Sequence, residues 1–111
     1  MIGDVLRLPD ADIRVPALCD IEVAAGLRRA LLRDLISVER AELALEQYLL
    51  MPLTRHDHRA VLVRVLDLRS NLSPYDACYL ALAESLGADL LTADEPLSHA
   101  VRAQTMIRVL P

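Results

Sequence analysis

The chain has 111 residues, enough for one compact domain, with 54% hydrophobic and 25% charged residues. That apolar content offsets the entropy of ordering the chain and excludes intrinsic disorder. The net charge of −4 excludes sequence-independent affinity for nucleic acid through a broad basic surface.

Phe and Trp are absent, so the core is expected to be built from Leu, Val, Ile and Ala. All twelve basic residues are Arg, a bias that codon usage in a GC-rich genome accounts for more simply than a selected binding surface. Cys19 and Cys78 follow no CxxC spacing and fall in apolar helical patterns, which reads as two reduced core thiols. Neither a membrane span nor a signal peptide is visible, so the expectation is a soluble cytoplasmic protein.

In chain order, Met1 to Asp12 reads as the end of a helix running into a turn at Pro9. Ile13 and Val15 alternate with polar neighbours and predict a short strand ending at Pro16. Leu18, Ile21, Val23, Ala25, Leu27, Leu31 and Leu32 then predict a helix from about Pro16 to Arg33 with one apolar face. Ser37 is a predicted N-cap for a second helix through Leu50, with Glu39 and Glu42 near its start and Pro52 as its stop. Leu53 to Asp57 predicts a strand, and His58 to Arg69 a helix with Val61, Leu62, Val65, Leu66 and Leu68 on one side.

Ser73, Pro74 and Asp76 specify the next helix start three times over, and Gly87 supplies its stop. Tyr79, Leu80, Leu82, Ala83 and Leu86 are its predicted buried side. Asp89 to Ala93 predicts a buried strand ending at Asp94, followed by a helix from about Pro96 and a strand from Met106 to Leu110. Strands alternating with helices indicate an α/β layered, largely parallel sheet, in one domain spanning residues 1–111. Ligands of such sheets collect beyond the carboxyl ends of the strands, and Asp94 falls at such a place.

Three carboxylates interrupt apolar or helix-starting contexts: Glu22 in Asp20-Ile21-Glu22-Val23-Ala24, Asp76 in Ser73-Pro74-Tyr75-Asp76, and Asp94 in Leu91-Thr92-Ala93-Asp94. Taken singly, each has a plain structural explanation as a solvated helix residue or a cap, and spacing alone does not bring them together. His56 and His58 flank Asp57 and read as a surface pair, with no third ligand in view. His99 needs no more than an ion pair with Glu95 or solvent. Arg28, Arg29 and Arg33 read first as complements to a helix end, with a grip on phosphates or carboxylates as the alternative.

The stretch Asp76-Ala77-Cys78-Tyr79-Leu80-Ala81-Leu82-Ala83-Glu84, with Gly87 and Leu90-Leu91-Thr92-Ala93-Asp94 behind it, resembles the C-terminal signature of PIN domains of the VapC toxin type. Val15 to Arg29 is similar to the glutamate-bearing helix of that family. The resemblance implies a PIN-like fold and a metal-dependent RNA endonuclease of a toxin–antitoxin system. It further implies that Glu22, Asp76 and Asp94 are the catalytic, metal-binding acids for Mg2+ or Mn2+. RNA substrate, a VapB-like antitoxin and a homodimer are the implied partners. Thr92 is a candidate to hydrogen-bond the metal-binding groups.

One departure matters. Family members open with a central strand ending in an aspartate followed closely by Ser or Thr, and none is found here; Asp4, Asp10 and Asp12 do not fit. The expectation is therefore an N-terminally truncated, incomplete domain whose sheet lacks its middle strand, whether through a start assigned too far downstream, a truncated gene, or completion by another chain. Its activity is then in doubt, and the alternative is a degenerate, non-catalytic remnant that binds an antitoxin or another protomer.

Overall fold

The computed structural model describes residues 5–7, 13–91 and 109–110. Two compact units divide the chain: a sheet unit holding all the strands among the described residues, and a helical unit of residues 18–52.

The sheet unit contains β1 (Val5–Arg7), β2 (Ile13–Pro16), β3 (Thr54–His56), β4 (Asp89–Leu91) and β5 (Val109–Leu110), in the order β3-β2-β1-β4-β5. β2 pairs with β3 in parallel, and β4 with β5 likewise. β1 is antiparallel to both of its neighbours, with Leu6 opposite Arg14 on one side and Leu90 on the other. The α/β class with parallel pairs is as expected, but the helix end expected over the first twelve residues is replaced at 5–7 by a strand. The expected gap in the middle of the sheet is closed by that strand. Unpaired strand edges on β2 and β4 demand hydrogen-bond partners, and a short Val-Leu segment that meets this demand gains more than an isolated helical turn would.

Behind β3 the chain makes a 3-10 turn (Arg59–Val61) and then α3 (Leu62–Asp67). The helix expected from His58 to Arg69 is thus shorter and broken. Val61 and Leu68 are buried, whereas Leu62 and Leu66 are 49% and 65% exposed, so the predicted apolar side is only partly used.

α4 (Pro74–Leu86) is the core of this unit. Ser73 Oγ accepts a hydrogen bond from the Asp76 amide at 3.2 Å, Pro74 occupies the first turn, and Gly87 ends the helix at φ 63°. Every residue from Ala77 to Ala83 is buried, so the helix is enclosed all round, where the sequence predicted one buried side. Its contacts explain why: β1, β2 and β4 lie against it, as do the 3-10 turn and α3. The alanines interleaved with Tyr79, Leu80 and Leu82 let those neighbours approach closely. Cys78 and Cys19 are both buried and outside any disulfide, as expected of core thiols.

The helical unit is an antiparallel pair of helices, α1 (Cys19–Leu32) and α2 (Val38–Leu50). Ser37 caps α2 by accepting from the Arg40 amide at 3.1 Å, as its position in sequence predicts. The single apolar face expected of α1 is not found: Cys19 is its one buried residue, and Ile21 and Leu32 are 72% and 67% exposed. Helical geometry gives the reason. Val23, Leu27 and Leu31 form one stripe, and Ile21, Ala25 and Leu32 a second, about a third of a turn or more away.

Candidate active site

Two of the three predicted acids, Glu22 and Asp76, lie among the described residues, each in the first turn of a helix. β1 is antiparallel to both β2 and β4, so β4 runs parallel to β2 and β3. α4 delivers the chain to β4 through Gly87 and Ala88, so it runs against these strands, and its first turn stands at their carboxyl ends. Asp76 lies in that turn, half-buried, with its amide fixed by Ser73. A carboxylate here is favoured by the helix dipole.

Glu22 lies in the first turn of α1, half-buried, with its amide donating to the Leu18 carbonyl at 3.1 Å. It belongs to the helical unit, and Asp76 to the sheet unit. Asp94 follows β4 closely in sequence and lies outside the described residues, as do Thr92 and His99. Among the described residues, no three His, Cys, Asp or Glu side chains are grouped to hold a metal ion. The donor set of Glu22, Asp76 and Asp94 is nonetheless all carboxylate, which suits a hard divalent cation such as Mg2+ or Mn2+.

The two histidines do not form a simple surface pair. Arg14 Nη1 on β2 donates to His56 Nε2 on β3 at 3.0 Å, with the ring nitrogen as the acceptor. The Ala17 amide donates to the His56 carbonyl at 2.8 Å and fastens the same end of β2 to β3. His58 is half-buried, with its Nδ1 enclosed and without a hydrogen-bond partner among the described residues. Asp57 between them bonds both the amide and the guanidinium of Arg59 at 2.8 Å, which holds its carboxyl below the usual aspartate range.

Two further contacts escaped the sequence reading. Arg64 on α3 grips Glu84 on α4 through Nε to Oε1 at 2.8 Å and Nη2 to Oε2 at 3.1 Å, a two-pronged brace across the sheet unit. Glu84 belongs to the motif that carries the family resemblance, and nothing in its local pattern singles out Arg64. In the helical unit the Tyr48 hydroxyl donates to Asp20 Oδ1 at 2.7 Å. Burial pushes the Tyr48 phenol well above its ordinary range, and the contacts with Cys19 and Asp20 push it the same way. Only the half-apolar setting of Tyr48 on its helix hinted at such a partner.

Arg28, Arg29 and Arg33 are all exposed on or just beyond α1, as surface complements to a helix end are. A hollow of roughly 430 Å³ in the sheet unit is lined by Leu62, Val65, Leu66, Arg69, Leu72 and Pro74. It contains no carboxylate and is a separate feature from Asp76.

Comparison with known proteins gives these positions their context. The model of the PIN domain matches residues 4–102. A VapC ribonuclease of Mycobacterium bovis is 41% identical over 99 residues, covering 89% of this chain and 78% of the relative. Ribonuclease VapC1 of Mycobacterium tuberculosis is 41% identical over 99 residues, covering 86% and 74% respectively. Ribonuclease VapC12 of the same species is 34% identical over 93 residues, covering 84% and 72%.

Proposed function

Because the chain belongs to the PIN-domain family and is homologous to the VapC toxin ribonucleases, we propose that it is a divalent-metal-dependent endonuclease acting on RNA in the cytoplasm. Glu22, Asp76 and Asp94 are its metal-binding acids. The observation that carries this reading is the helix start at Ser73-Pro74, which sets Asp76 at the carboxyl ends of the strands within the segment matching the family.

Bound magnesium or manganese supplies the positive charge that polarises the phosphodiester and activates a water. The chain supplies oxygen donors and their orientation: a capped first turn beneath Asp76, and a first turn of α1 that bears Glu22. A net charge of −4 is compatible with an RNA substrate on this reading, since a cation held by Glu22, Asp76 and Asp94 would supply positive charge toward the phosphate.

A VapB-like antitoxin and a second copy of the chain are the proposed protein partners. Large apolar side chains stand exposed on both helices of the helical unit, among them Ile21, Leu32, Leu45 and Leu49, and surfaces of this kind mark protein interfaces.

The test compares RNA cleavage with Mg2+ by the wild-type chain and by the Asp76→Asn and Asp94→Asn variants. Loss of cleavage in both is expected, and equal activity in all three removes the site. A second reading, a non-catalytic module that binds antitoxin or protomer, is favoured by one feature: β1, at the centre of the sheet, carries no carboxylate in Val5–Arg7. Antitoxin binding without any metal-dependent cleavage by the wild type would decide for it.

A further inference from the structure

We infer that Tyr48 is a positioning residue for Glu22, acting through Asp20. The inference rests on the reading of Glu22 as a metal-binding carboxylate.

The need for such a residue comes from how α1 begins. α2 and α4 each start with a serine whose hydroxyl accepts from the amide three residues on. α1 has no side-chain cap: Leu18 precedes it, and the amides of Ile21 and Glu22 both turn to the Leu18 carbonyl at 3.1 Å. An uncapped first turn frays more readily than a capped one. Glu22 is in that turn, so fraying disperses the one carboxylate that the site takes from this helix.

Tyr48 supplies a tether where the cap is missing. From late in α2 its hydroxyl donates to Asp20 Oδ1 at 2.7 Å, in a partly buried setting beside Cys19. A hydrogen bond to an ionised carboxylate is among the stronger polar contacts a protein makes. Asp20 and Glu22 are two residues apart, about 200° round the helix axis. Anchoring Asp20 toward α2 therefore sets the rotation of α1 and turns Glu22 to another side, clear of the phenol. Tyr48 fixes the direction of the Glu22 carboxylate and touches neither metal nor substrate.

Tyr48→Phe removes one oxygen and keeps the ring, and Asp20→Asn keeps an acceptor for the phenol while removing the charge. The readouts are Mn2+ affinity of the full chain by electron paramagnetic resonance, and amide hydrogen exchange at residues 20–22. Tyr48→Phe is expected to weaken Mn2+ binding by about 10-fold, the lower end of what loss of a supporting partner costs, and to speed exchange at those amides. Asp20→Asn is expected to lose clearly less than Tyr48→Phe in both, because it keeps the hydrogen bond without its charge. A purely structural role would lower the denaturation midpoint of Tyr48→Phe and leave the Mn2+ affinity of the folded protein unchanged, which would overturn the inference. Equal losses in Asp20→Asn and Tyr48→Phe would overturn it too, by assigning the effect to charge at Asp20. A wild-type chain that binds no Mn2+ sinks the metal reading; the tether is then judged by exchange alone, supported if Tyr48→Phe speeds it and overturned if not.

Discussion

Gly87 closes α4 and opens the path to β4, and replacing it with alanine isolates the cost of one backbone conformation. The residue sits at φ 63° and ψ 32°, in the left-handed region. Its amide donates to the Ala83 and Glu84 carbonyls, and the Ala88 amide returns to the Ala83 carbonyl at 3.0 Å. A Cβ built at Gly87 meets nothing within 4 Å, so no collision with neighbours enters the cost. What remains is the strain of an L-residue in this region, roughly 1–2 kcal/mol. Against it stands a gain of about 0.4–1 kcal/mol from the stiffer unfolded chain. The net loss is about 1 kcal/mol, or a drop in Tm of about 4 °C for a chain of this size. Thermal unfolding followed by circular dichroism measures it, with Gly87→Asn as the comparison, because asparagine tolerates this conformation better than alanine does. The expected order of stability is glycine, asparagine, alanine. An alanine variant as stable as wild type, or an asparagine variant no better than alanine, would refute the reasoning.

Ser73→Ala removes the cap beneath Asp76 and is expected to cost about 1 kcal/mol in chemical denaturation, with Ser73→Asp recovering most of the loss; no change in either would show the cap to be idle. The Arg64–Glu84 brace is partly exposed, with side chains 39% and 26% accessible, so a double-mutant cycle to Met and Gln is expected to give a coupling of only about 0.5–1 kcal/mol, shrinking in high salt. A coupling insensitive to salt would contradict that picture. The phenol of Tyr48 is raised above its ordinary value of 10.0, so the folded state holds this proton more tightly than the unfolded chain does. The corresponding stabilisation is complete below about pH 10 and is lost as pH climbs from there through the higher folded value. Tyr48→Phe should flatten the alkaline limb of the stability profile, and an unchanged limb would rule the effect out.

Much of the fold was legible where local chemistry and tertiary structure agree. Ser37, Ser73, Pro74 and Gly87 mark helix ends through hydrogen bonds and dihedral angles that span only a few residues, and the structure uses each as expected. Ile13 to Pro16 reads as a strand for the same reason. What stayed hidden depends on partners far away in the chain. Val5–Arg7 is a strand because β2 and β4 offer it edges, and nothing within the first twelve residues shows those edges. Enclosure of α4 on all sides, the Arg14–His56 contact and the Tyr48–Asp20 bond are likewise invisible to a reading in short windows. Of the three acids, Asp76 was legible through its helix start. The proposed grouping of Glu22, Asp76 and Asp94 rests on likeness to a family, because the spacing of carboxylates along a chain does not tell which of them meet.

The middle strand has a bearing on how the protein is made. Val5 is translated well before Leu91, its partner on β4. At 5–20 residues per second, the nascent chain spends several seconds with that side of its first strand unmatched. Closure of the sheet is thus a late and long-range event of the kind that slows folding, and the growing polypeptide depends in that interval on whatever shields its apolar segments.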